Sequence, residues 1–122
     1  MTGSETGLSL TIDGKKNRLR IARSTMRMLG ETPMVQLLYH PGERIILVRG
    51  AREQTPGGQE LYVHPTRSRG DYDIYSISFV RKIRNANPEM QDGCSYRFYG
   101  KAVEQEHMVV FPMNTMEKIE ND

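Results

Sequence analysis

The segment Asn17-Arg18-Leu19-Arg20-Ile21-Ala22-Arg23-Ser24-Thr25-Met26-Arg27-Met28-Leu29-Gly30 constrains the fold more than any other part of the chain. Leu19 and Ile21 alternate with Arg18 and Arg20, the period of a strand with one apolar face. The pattern then passes directly into a short helix with Gly30 as its stop. The same strand-into-helix step returns at residues 75–87, where Tyr75-Ser76-Ile77 leads into Phe79-Val80-Arg81-Lys82-Ile83-Arg84 and Pro88 ends the helix. Two such steps in 122 residues imply a fold of two similar halves.

The flanking segments complete each half. Leu8, Leu10 and Ile12 alternate with polar residues, and the turn-prone Asp13-Gly14-Lys15-Lys16-Asn17 joins them to Leu19 and Ile21 as a hairpin. Ser24 or its neighbour caps the first helix, with Thr25, Met26, Met28 and Leu29 as its buried side. Residues 34–39 and 45–48 form a second hairpin, and residues 50–59, containing Pro56-Gly57-Gly58, read as a connector. The second half repeats the plan. Leu61-Tyr62-Val63 turns through residues 66–70 into Tyr72 to Ile77, the helix begins at Phe79, and Tyr96 to Tyr99 pairs with Met108 to Phe111 around residues 104–107.

The chain is thus expected to be one domain over 1–122, with repeats at about 8–49 and 60–113. Its tail, 114–122, is expected to form a helical turn with Met116 and Ile119 inward before fraying. Neither half has enough core to stand alone, so the two should share one. The class expected is mainly β with short helices, α+β.

Charge is unevenly spread. The total is only +2, yet residues 13–30 hold Lys15, Lys16, Arg18, Arg20, Arg23 and Arg27 against Asp13 alone, while residues 103–122 carry a net −4. A local basic field attracts phosphate even when the total charge is small, although an arginine-rich strand is also what a solvated face looks like. The single cysteine, Cys94, excludes an internal disulfide and reads as a buried thiol. The polar start lacks the basic and apolar regions of a signal peptide, and no apolar run approaches the ~20 residues of a membrane span. A soluble cytoplasmic protein is the expectation.

On these residues the chain resembles the AbrB/SpoVT family of swapped-hairpin DNA-binding domains, whose motif runs Gly-Arg-Ile-x-Ile-Pro, a short helix ending in Leu-Gly, and a β-hairpin. Without a gap, Arg18 stands at the family arginine, Leu19 and Ile21 at the apolar pair, and Leu29-Gly30 at the helix end. Asn17 and Ala22 depart from its glycine and proline, as in a divergent member, and the second half keeps only the outline. The tandem arrangement is similar to that of MraZ proteins.

The resemblance implies a pseudo-dimeric barrel of two hairpin-helix-hairpin repeats. It also implies a regulator that grips duplex DNA through basic residues of the strand, the junction and the short helix. Arg18, Arg23 and Arg27 occupy the matching places, and charge and proximity add Lys15, Lys16 and Arg20. Arg67, Arg69, Arg81, Lys82 and Arg84 supply a weaker counterpart in the second half. The alternative is an interaction module, antitoxin-like or structural, on the same scaffold, with a protein partner or a second copy of the chain.

Little in the sequence points to an enzyme. His40, His64 and His107 are scattered among turns without metal-ligand spacing, no Gly-x-Ser-x-Gly elbow occurs, and Gly57-Gly58 lacks the Lys-Ser/Thr of a phosphate loop. No catalytic residue, metal or cofactor is therefore expected. Tyr96, Phe98 and Tyr99 could stack on single-stranded bases, but their alternation also suits strand residues divided between core and surface.

Overall fold

A computed structural model describes residues 7–52, 60–66 and 70–119. The first hairpin is β1 (Ser9–Asp13) and β2 (Arg18–Ile21). In its turn Asp13 Oδ1 accepts the backbone N–H groups of Lys15 and Lys16 at 3.0 and 3.1 Å, and Asn17 takes a left-handed φ of 53°. The helix α1 (Arg23–Met28) follows from Ala22, which occupies the cap position but has no side chain to cap with.

Six residues are too few for an independent helix. α1 is held instead by burial of Met26 and Leu29 and by Thr25, fully buried, whose hydroxyl accepts from Ser9 N–H (3.0 Å) and donates to Ser9 C=O (3.1 Å). Ser24, the expected cap, donates to the Gly7 carbonyl. Gly30, at φ 86°, stops the helix as anticipated. The next hairpin, β3 (Met34–His40) and β4 (Ile45–Ala51), runs two residues into the expected connector, and residues 53–59 lie outside the described residues.

The second half contains β5 (Glu60–Tyr62), β6 (His64–Pro65), β7 (Tyr72–Tyr75), α2 (Ile77–Ala86), β8 (Ser95–Tyr99), β9 (Lys101–Val103), β10 (Met108–Pro112) and β11 (Glu117–Ile119). α2 starts two residues earlier than its apolar pattern suggests, because Ser76 caps it by accepting Phe79 N–H at 3.2 Å. Phe79, Val80 and Ile83 are its buried face.

The molecule is mainly β. Two antiparallel sheets run in the orders β11-β8-β1-β2-β7-β6 and β5-β3-β4-β10-β9, and neither closes into a barrel. In each sheet a first-half pair is flanked by second-half strands: β1 and β2 lie between β8 and β7, and β3 and β4 lie between β5 and β10. One apolar cluster therefore draws on both sheets, with Leu10, Ile12, Leu19, Ile21, Ile74 and Phe98 from one and Val35, Ile46, Val48, Val109 and Phe111 from the other.

Three expectations need correction. Residues 61–63 do not form a hairpin with 72–77: β5 joins β3 in the five-stranded sheet, and only the two-residue β6 turns back onto β7. Residues 96–99 and 108–111 do not pair with each other: β8 belongs to the six-stranded sheet, and β10 pairs with β9 and β4 in the other. The chain changes sheets at buried Gly100, whose N–H donates to Leu8 C=O at 2.9 Å. A Cβ there would come within 2.7 Å of Val109 and Phe111, so only glycine leaves room for the crossing. The tail also differs. Met113–Thr115 forms a 3-10 turn, and β11 then adds to the free edge of β8. Met116 packs on the core as expected, but Ile119 sits opposite Ser95 on the outer face.

Candidate nucleic-acid interface

Strand alternation sends Leu10, Ile12, Leu19, Ile21, Ile74 and Phe98 inward and the intervening residues of the six-stranded sheet outward. The register aligns Glu117, Arg97, Thr11, Arg20, Asp73 and His64 in one cross-strand row. Ile119, Ser95, Asp13, Arg18 and Tyr75 form the next.

At the centre lies Asp73, whose side chain is 6% exposed. Arg20 binds it bidentately, Nε to Oδ1 at 2.7 Å and Nη2 to Oδ2 at 3.1 Å, and Arg18 Nη1 reaches Oδ2 at 3.3 Å. Arg18 Nε lies 3.2 Å from Asp13 Oδ2, close enough for an ion pair although it makes no hydrogen bond. Burial pushes the Asp73 carboxyl up, but hydrogen bonding to Arg20 and the charges of Arg20 and Arg18 outweigh it and hold it below its ordinary value. The hydrogen bond to Asp73 raises Arg20 in turn.

Six predicted residues thus divide into two groups. Arg18 and Arg20 are brought together, but by carboxylates that offset much of their charge. Lys15 and Lys16 are exposed in the β1–β2 turn, and Arg23 and Arg27 are exposed one turn apart on α1. None of these four has an ion pair among the described residues. The two pairs stand at opposite ends of β2, about 20 Å apart along the chain at ~3.3 Å per strand residue. The Arg23 guanidinium lies over Gly70, where a Cβ would collide with it. With Arg27, Met26, Glu31 and Tyr72 it lines a hollow of about 240 Å³.

A larger depression of about 490 Å³ opens on the sheet itself, lined by Arg18, Arg20, Thr11, Asp13, Asp71 and Arg97 among others. Arg97, from the second half, has no ion pair among the described residues. Sequence reading did not single it out. Its signal was its place between Tyr96 and Phe98, since a cation alternating with core aromatics must face outward. In the weaker counterpart, Arg81 and Lys82 are exposed on α2, whereas Arg84 Nη1 pairs with Asp92 Oδ1 at 3.1 Å. Arg67 and Arg69 lie outside the described residues.

The aromatic trio divides as strand residues do: Tyr96 and Phe98 are buried, and Tyr99 is exposed with its hydroxyl on Glu117 Oε1 at 2.8 Å. His64 tilts against Tyr75 with ring centroids 5.5 Å apart, and His40 Nδ1 accepts Glu43 N–H at 3.2 Å. Cys94 is half-buried, with Sγ 3.6 Å from Gln91 Oε1. No helix among the described residues is long and apolar enough to cross a membrane. No family model matches the chain, and neither a curated protein nor a solved structure matches it.

Proposed function

We propose that the chain is a divergent AbrB/SpoVT-like, MraZ-like regulator that binds duplex DNA through its first half. The observation that carries this reading is the placement of four exposed cations with no ion pair among the described residues, Lys15, Lys16, Arg23 and Arg27, at the two ends of one strand. They suit phosphate contacts on either side of the fixed Arg18–Asp73–Arg20 centre. Two backbone values support the scaffold. Asn17 is left-handed where the family motif has glycine, and Ala22 has φ −73°, a value proline also adopts, where the motif has proline.

Pairing changes the weights within the site. Arg18, Arg20 and Asp73 together carry +1, so the outer four cations dominate attraction, and the centre fixes register on the duplex. With about four phosphates neutralised, the logarithm of affinity should fall against the logarithm of salt with a slope of about −3.6, against about −5.4 for six independent cations. Fluorescence anisotropy with a labelled generic duplex between 50 and 200 mM salt measures it, and a loss on the order of 10²-fold is expected. Arg23→Ala and Arg27→Ala should each flatten the slope by about 1. Binding that ignores salt, or survives loss of all four outer cations, would refute DNA recognition by this surface. A protein-interaction module on the same scaffold is favoured by one separate feature, the apolar outer face of the five-stranded sheet.

A further inference from the structure

The five-stranded sheet differs from its partner in what it shows to solvent. Leu38, Ile45, Leu47, Met108, Val110 and Pro112 all stand on its outward side, in register with one another across β3, β4 and β10. None of them packs against the hydrophobic core. Leu38 is 50% exposed, and the others are half-buried, largely because cross-strand neighbours cover each other's flanks. A monomer gains nothing from an apolar face on the side away from its core, and contiguous patches of this kind mark interaction surfaces.

We propose that this face is the interface of a homodimer, with a two-fold axis running along the row Leu38–Leu47–Val110. Charge placement selects a second copy as the occupant. Glu43, exposed in the β3–β4 turn, and Arg49, exposed on β4, lie on opposite sides of that row. Rotation about the row brings Arg49 of one copy over Ile45 of the other, with its guanidinium beside the partner copy's Glu43, and the contact occurs twice. The same operation sets Pro112 against Met108 and each leucine of the axis against its own counterpart. Lys101 ends the row on the edge strand β9, where its ammonium can remain in water. Glu60 is on that side of the sheet too, but it already accepts from Gln36 Nε2 at 2.7 Å.

Size agrees with a moderate dimer. The three apolar strands, spaced ~4.8 Å apart and about five residues long at ~3.3 Å each, cover roughly 14 by 17 Å, or about 240 Å² in projection, and the flanking β5 and β9 extend the contact to about 400 Å². Accessible area exceeds projected area, which places the contact near the ~600 Å² per partner that separates stable interfaces from weak ones. Association in the micromolar range is expected. The two charged faces then point outward on opposite sides of the dimer.

Sedimentation velocity of the full chain from 5 to 500 μM tests this. A monomer–dimer equilibrium is expected. Leu47→Glu, and independently Leu38→Glu at the most exposed position, should each leave a monomer throughout while far-ultraviolet circular dichroism is unchanged. Glu43→Arg and Arg49→Glu should each weaken association at least 5-fold, and the double variant should recover it. A wild type that stays monomeric at 500 μM, a dimer indifferent to either leucine variant, or a double variant no better than the singles would overturn the assignment. Recovery in the double variant is the outcome that a heterologous partner cannot produce.

Discussion

Asp73 decides what the arginines of this chain can do. Its carboxylate sits between Arg18 and Arg20, which belong to the other half of the sequence. Removing its charge leaves two guanidiniums facing each other, one of them largely enclosed, so Asp73→Asn should cost about 2 kcal/mol. That is less than a fully buried pair because Arg20 is 36% exposed. Denaturant titration of the two proteins measures it. Because the folded carboxyl lies below its ordinary 3.8, its stabilisation is complete above that pH and is lost as pH falls through the lower folded value. Wild-type stability should therefore decline below about pH 4 more steeply than that of Asp73→Asn, and parallel acid profiles would exclude the pairing. The same variant should bind duplex more tightly at low salt, since it frees positive charge. The outward direction of Arg18 and Arg20 was legible from alternation alone. Their partner was not, because Asp73 meets them only through a register between strands more than 50 residues apart.

At the scale of elements, local pattern identified eight of the eleven described strands and both helices, missed β6, β9 and β11, and misjudged where strands cross between sheets. β8 and β10 each alternate, and a short polar segment joins them, so a hairpin is the local inference. Gly100 contradicts it, because a buried glycine inside a strand pattern marks a close approach of backbone to side chains. Gly100→Ala should destabilise the fold by about 1–3 kcal/mol through overpacking against Val109 and Phe111, which cannot withdraw from the centre of the core. Gly93→Ala is the contrasting control: Gly93 is left-handed, which Gly100 is not, and nothing lies within 4 Å of an added Cβ there, so its loss reports backbone strain without crowding. A Gly100→Ala loss well below about 1 kcal/mol in thermal denaturation would mean that the crossing does not depend on the space glycine leaves. The tail shows the same limit of local reading. Met116 and Ile119 fit a helical spacing, but the open edge of β8 supplies ladder hydrogen bonds that three residues of helix cannot match.

Across the whole molecule, the halves are bound by exchange of strands. Each sheet interleaves first-half and second-half strands, and the single apolar cluster belongs to both. The β3–β4 turn is also fastened to the end of α2, where Arg44 Nη2 donates to Asn87 Oδ1 at 2.6 Å and Glu89 Oε2 at 2.9 Å, and Asn87 Nδ2 donates to Tyr39 Oη at 3.2 Å. Sequence made a shared core legible, since neither half has enough apolar residues to bury itself. It could not show that the core is flanked by one face of paired charge and one of uncovered apolar residues, because facing depends on how two sheets are stacked. Interleaving forbids either half from unfolding while the other persists, for loss of β1 and β2 would expose both β7 and β8. Unfolding should therefore be one transition. Tyrosine fluorescence and far-ultraviolet circular dichroism should give coincident denaturant curves at a concentration where the chain is monomeric. A probe on α2 and a probe on α1 should share one midpoint. Separate midpoints would mean that the two halves carry independent cores, contrary to a sheet built by exchange.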